Sequence, residues 1–241
     1  MGKEEMACRT DLWHLALLKR AIEEVDERYI RSGDLAHHDK PEDVETEITL
    51  AERVFAYELY RQWANLLEPY RTGLVLNGET RKDFIRDFQI KFKSKRNNSN
   101  NDSNFAHFYP DIVLHDENVE DSKCNMIVCE IKRYENIGGT IDDLNKLSLF
   151  LSKDLKPKMD GLEWDSYHYA VFLLVGPKKD NNEASIELFE KLKNKMKDKR
   201  SELDIDSTKQ QRIICMTYNG TKESLKYASL KEIMNEVNPQ K

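Results

Sequence analysis

Three residues near the middle of the chain have the types and spacing to do chemistry. Asp111 follows Pro110, and nineteen residues later Glu130, Ile131 and Lys132 close an apolar run. An acidic residue two places before a lysine means little alone, since Asp121-Ser122-Lys123 and Asp154-Leu155-Lys156 repeat the pattern. Setting separates them: Asp121 falls in a polar turn and Asp154 in a helix-end loop before Pro157. Only Glu130 and Lys132 end a strand-like run, where period-two alternation puts them on one face. If residues 108–115 and 126–132 pair antiparallel about a turn at 116–125, residue 115 meets 126, 113 meets 128 and 111 meets 130. A directly opposed Asp111 then shares the face of Glu130, with Cβ atoms roughly 4.5–5.5 Å apart.

Two carboxylates and an ammonium at one rim of a sheet suit metal-assisted hydrolysis. Mg²⁺ or Mn²⁺ takes oxygen ligands, commonly one or two carboxylates with waters and phosphate oxygens. Asp111 and Glu130 supply the carboxylates, and the Ile131 carbonyl is a third candidate ligand. The ion would acidify a bound water and neutralise charge building on a phosphate. Lys132 would orient that water and stabilise the developing anion. The plainer alternative is a surface aspartate and a strand-end Glu–Lys pair that merely solvate the sheet.

The elements that must position these residues follow from hydrophobic periodicity. Thr10 or Asp11 can cap a first helix, with Leu12, Leu15, Leu18, Ile22 and Val25 at helical spacing and Ser32-Gly33-Asp34 at its end. A second helix is predicted over 46–68, stopped by Pro69, then a short strand over 73–79. Residues 84–92 mix helical and strand-like signals, and the apolar-free run 94–104 reads as a loop. Strands over 108–115 and 126–132 lead to a helix over 141–153, a strand over 167–175, a basic helix over 184–200, a strand over 212–218 and a helix over 225–237. This order predicts an α/β fold with a mixed sheet flanked by helices. Residues 1–45 are expected as an N-terminal helix and linker packed on a domain spanning 46–241.

Composition sets the outer limits. In 241 residues, 34% are charged and 39% apolar, and the net charge is −6. Enough clustered apolar residues remain to build a core, and no run approaches the ~20 residues of a membrane span. The first residues show no basic-then-apolar leader. Cys8, Cys124, Cys129 and Cys215 have neither CxxC spacing nor the density of a disulfide scaffold. The expectation is reduced thiols in a cytoplasmic protein. Net negative charge does not exclude nucleic acid, because a local basic groove suffices.

The stretches Tyr109-Pro110-Asp111-Ile-Val-Leu-His115 and Asn125-Met-Ile-Val-Cys-Glu130-Ile-Lys132 together resemble the core of the PD-(D/E)XK nuclease superfamily. The resemblance covers about residues 46–176 and rests on motifs. It implies a restriction-endonuclease-like αβββαβ core, divalent metal at Asp111 and Glu130, and a catalytic role for Lys132. It also implies an acidic residue from the helix before the first strand, with Glu58 preferred over Glu52. Glu79, at the end of that strand, is a further candidate or simply a turn residue. Asp143 and Lys146 are spaced for an i,i+3 surface pair, although Lys146 could reach a phosphate or the carboxylates.

Phosphate contacts are sought where basic residues cluster. Arg81, Lys82, Arg86, Lys91, Lys93, Lys95 and Arg96 lead into the loop, and Arg81, Lys82, Lys93, Lys95 and Arg96 are the candidate contacts. Lys191, Lys193, Lys195, Lys197, Lys199 and Arg200 crowd one helix, where a solubilising face is the plainer reading. The expected activity is metal-dependent hydrolysis of DNA phosphodiesters, with a homodimer compatible with double-strand cutting. The rival expectation is a nuclease-like fold that binds DNA or protein without turnover.

Overall fold

The computed structural model describes residues 11–31, 44–70, 73–78, 110–116, 125–152, 166–176 and 182–236. Helices α1 (Asp11–Glu23), α2 (Arg28–Arg31) and α3 (Val44–Leu67) precede strands β1 (Leu74–Gly78), β2 (Ile112–Asp116) and β3 (Ile127–Arg133). Helix α4 (Thr140–Phe150), β4 (Tyr169–Val175), α5 (Asn182–Asp198), α6 (Ser207–Arg212), β5 (Ile213–Tyr218), β6 (Lys226–Ser229) and α7 (Leu230–Glu236) complete the order. From α3 to β4 the elements run helix, three strands, helix, strand. Glu79, Arg81, Lys82, Lys93, Lys95 and Arg96, and the segments 84–92 and 94–104, lie outside the described residues.

The six strands form one mixed sheet in chain order, parallel at β3–β4 and β4–β5 and antiparallel elsewhere. Parallel neighbours must be crossed by helices, so the central strands are covered on both faces and read as near-continuous apolar runs. β4, Tyr-Ala-Val-Phe-Leu-Leu-Val, is buried from Ala170 onward. One face carries Ile112, Leu114, Ile127, Cys129, Ile131, Val171 and Leu173 against Leu18 and Ile22 of α1 and Phe55, Leu59 and Trp63 of α3. The other carries Val113, Val128, Ala170, Phe172 and Leu174 against Leu144 and Leu147 of α4, Leu188 and Leu192 of α5, and Ile233 of α7. This is an α/β fold with a mixed sheet between two helical layers. Among the described residues no helix is long and apolar enough to cross a membrane.

Three local expectations are corrected. The first helix breaks in two, because the Asp26 carboxylate accepts from the Arg28 N–H at 3.0 Å and starts α2 afresh. The helix expected over 225–237 begins later, since Lys226–Ser229 pairs antiparallel with β5, Ile214 opposite Ser229. Helix α6 is an addition, capped by Asp206, which accepts from the N–H groups of Thr208 at 3.0 Å and Lys209 at 2.9 Å.

Candidate functional site

The pairing of β2 with β3 places the motif residues. Val113 lies opposite Val128 and Ile112 opposite Cys129, so Asp111 and Glu130 are the next positions, just past the last rung. Asp111 and Glu130 have the parity of Val113 and Val128, whose side chains face α4. Lys132 follows on that face.

Backbone direction explains what holds Asp111. The Tyr169 N–H donates to the Met126 carbonyl at 3.0 Å, so the even-numbered residues of β3 turn their peptide groups toward β4. Ile131 and Arg133 therefore turn theirs toward the side of β2, where β2 has already ended. Each N–H finds a carboxylate instead of a strand. The Ile131 N–H donates to Asp111 Oδ2 at 2.7 Å, and the Arg133 N–H donates to Glu52 Oε2 at 3.1 Å. Ile131 thus enters the site through its backbone, while its side chain is wholly buried in the core.

Glu130 lies beside the first of these anchors, next to Ile131 in the strand and within reach of the Asp111 charge. Its Oε2 is shut off from solvent and, among the described residues, has no hydrogen-bond partner. Burial pushes the Glu130 carboxyl well above the usual carboxylate range, and the charges of Asp111 and Asp143 push it further. Burial also raises Glu52, opposed by its bond from Arg133 and by the Lys132 charge. The neighbouring Cys129 thiol is raised well above its ordinary value by burial, with Asp111 and Glu130 adding to it, so it stays an inert thiol.

Lys132 is not loose at this rim. Its ammonium donates to Asp143 Oδ2 on α4, with the lysine side chain 16% and the aspartate 6% exposed. Burial pulls the Lys132 pKa down, but the Asp143 hydrogen bond and the charges of Asp143, Glu130 and Glu52 outweigh it, leaving the pKa raised. Lys132 is therefore an ammonium at neutral pH. Lys146 reaches the other oxygen, Asp143 Oδ1, at 3.3 Å.

The helix carboxylate at the site is Glu52, not the preferred Glu58. Glu58 lies on the buried stripe of α3 and accepts from Arg61 Nη2 at 2.6 Å and Nε at 2.9 Å, and from Gln62 Nε2 at 2.7 Å. These partners on its own helix, the Arg61 bonds foremost, hold its carboxyl below the usual range. Asp143 was expected as half of a surface pair; the pair with Lys146 is present, but the carboxylate is buried against Lys132. The sequence carried the signal, since Thr140, Asp143, Leu144, Leu147 and Ser148 form one helical stripe and all are buried.

On α5, Lys191 pairs with Glu187, and Lys193 with Glu190 and Glu236; Lys199, just beyond it, pairs with Glu202. His115 Nε2 contacts the Asn77 amide across β1 and β2.

Among the described residues no three His, Cys, Asp or Glu side chains converge closely enough to hold an ion as they stand. The donor chemistry nonetheless fits a hard divalent cation. Asp111 and Glu130 are neighbouring oxygen donors, Glu130 Oε2 lacks any partner, and Mg²⁺ needs only one or two protein carboxylates beside water and substrate. No family model, curated relative or solved structure matches the chain.

Proposed function

We propose that the chain is a metal-dependent nuclease of the PD-(D/E)XK type that hydrolyses DNA phosphodiester bonds. The observation that carries this reading is the unpartnered, buried Glu130 Oε2 beside an Asp111 fixed on the Ile131 N–H, with the Lys132 ammonium on the same face. Asp111 and Glu130 would hold Mg²⁺ or Mn²⁺, with the Ile131 carbonyl, on the same side of β3 as its N–H, available as a third donor. When bound, the ion supplies acidification of a water and neutralisation of charge on the phosphate. Lys132, already protonated, cannot serve as the base; it orients the water and stabilises the phosphorane-like charge. Glu52 completes the carboxylate group by bracing the end of β3 through Arg133.

The test is a cleavage assay on linear, circular and branched DNA, with RNA alongside, in Mn²⁺ and in EDTA. Lys132→Ala is expected to lower cleavage by about 10²–10³-fold, the size of losing one preorganised charge-stabilising donor. Wild-type cleavage by a folded Lys132→Ala protein would falsify the assignment.

A second reading is favoured by the lack of a three-carboxylate convergence among the described residues and by the engagement of Lys132 with Asp143. On that reading the fold binds DNA or a protein partner without turnover. A wild-type melting temperature that rises with Mn²⁺ while that of Asp111→Ala does not supports the nuclease. No response in either, in a chain that still binds DNA, supports the binding module.

A further inference from the structure

We infer that Asp143 is a positioning residue, whose carboxylate fixes the Lys132 ammonium at the rim facing Glu130; the inference rests on the nuclease reading of the same site. Lysine side chains are long and flexible, and holding one in a single rotamer requires a partner that is itself held. Asp143 meets this condition. It projects from the first turn of α4, where the helix N-terminus favours a carboxylate, and its side chain is 6% exposed. Its two oxygens are divided between two cations, Oδ2 to Lys132 and Oδ1 to Lys146 at 3.3 Å. The second bond orients the carboxylate for the first.

The backbone is shaped around this contact. Gly139 precedes α4 at φ −82°, an ordinary conformation for any residue. A Cβ there would lie 3.2 Å from Lys132 Nζ and 3.6 Å from Asp143 Oδ2. The first distance is tight and the second an ordinary contact, so alanine would press the lysine ammonium away by a few tenths of an ångström without removing either charge.

Two variants test the inference, each read by cleavage kinetics and by mass-spectrometric acetylation of Lys132. Asp143→Asn is expected to lower kcat by about 10²-fold with KM little changed, the cost of misplacing a reacting group by about 1 Å. It should also release Lys132 to acetylation several-fold, and Asp143→Glu should restore part of both. Gly139→Ala is expected to show the same pattern in milder form, and it carries the test if Asp143→Asn does not fold. Unchanged acetylation of Lys132 in a folded variant overturns the inference, as does released Lys132 with wild-type kcat. If the wild-type chain cleaves no nucleic acid, the nuclease reading fails, while acetylation alone still decides whether Asp143 holds Lys132.

Discussion

Ile131 and Arg133 offer the same kind of backbone donor at the same open edge, yet the carboxylates that answer them come from very different distances along the chain. Asp111 arrives from the strand before, and Glu52 from a helix 81 positions earlier than Arg133. Each bond removes an unsatisfied N–H; the first brings the Asp111 charge near Glu130, and the second brings the Glu52 carboxylate near Lys132. Satisfying the strand end and gathering the carboxylates are one event. Glu58 contributes to neither, because Arg61 and Gln62 already occupy its oxygens. Glu52→Ala is therefore expected to reduce cleavage at least tenfold more than Glu58→Ala when both are assayed as folded protein, since about 1.4 kcal/mol of transition-state stabilisation is a factor of ten. Equal losses, or a greater loss at Glu58, would remove Glu52 from the site. Sequence favoured Glu58 because it sits among aromatic neighbours nearer the helix centre; the contact that brings Glu52 to the strand end spans 81 positions and has no local signature.

The strands that place Asp111 and Glu130 were readable as short apolar runs on either side of a polar turn, which sets Val113 opposite Val128. A slip of one residue would take Asp111 and Glu130 off a common face. β6 was not readable in the same way. Leu225, Leu230, Ile233 and Met234 mimic one helix, and the four residues Lys226–Ser229 become a strand only through pairing with β5. A local signal did mark the true helix start. Ser229 accepts from the Glu232 N–H at 3.2 Å and its own N–H donates to Glu232 Oε2 at 2.8 Å, a capping box at Ser229-Leu-Lys-Glu232. Asp206 performs the same service for α6, and bonds from Thr208, then Lys209, hold its carboxyl at about 2. Asp206→Ala should cost about 1 kcal/mol at pH 7. A carboxyl depressed on folding stabilises above its unfolded pKa, 3.8, and loses that contribution as pH falls through about 2. The gap between wild-type and Asp206→Ala urea midpoints should thus be full at pH 6, narrow below pH 4 and close near pH 2. A gap that is constant with pH would mean the cap acts through shape, without its charge.

On the nuclease reading, a chain of net charge −6 that acts on a polyanion must concentrate its positive charge in one place. The most basic helix, α5, has Lys191 and Lys193 paired with carboxylates, and Lys199 just beyond it is paired too. A phosphate at these three lysines would have to compete with an existing partner. The lysines at the rim face carboxylates as well, Lys132 and Lys146 sharing Asp143. The other candidate is the basic run between β1 and β2 in the sequence, Arg81, Lys82, Lys93, Lys95 and Arg96, which lies outside the described residues. Each phosphate contact releases counterions, contributing about −0.9 to the slope of log K against log salt on duplex DNA. Replacing Lys93, Lys95 and Arg96 by alanine should therefore make that slope shallower by about 2–3 and weaken binding across all sequences. Replacing Lys191, Lys193 and Lys199 should leave it within about one contact of the wild type. Fluorescence anisotropy with a labelled duplex between low and physiological salt measures both. If the α5 set moves the slope and the 93–96 set does not, DNA binds through α5, and the 93–96 run is not its contact surface.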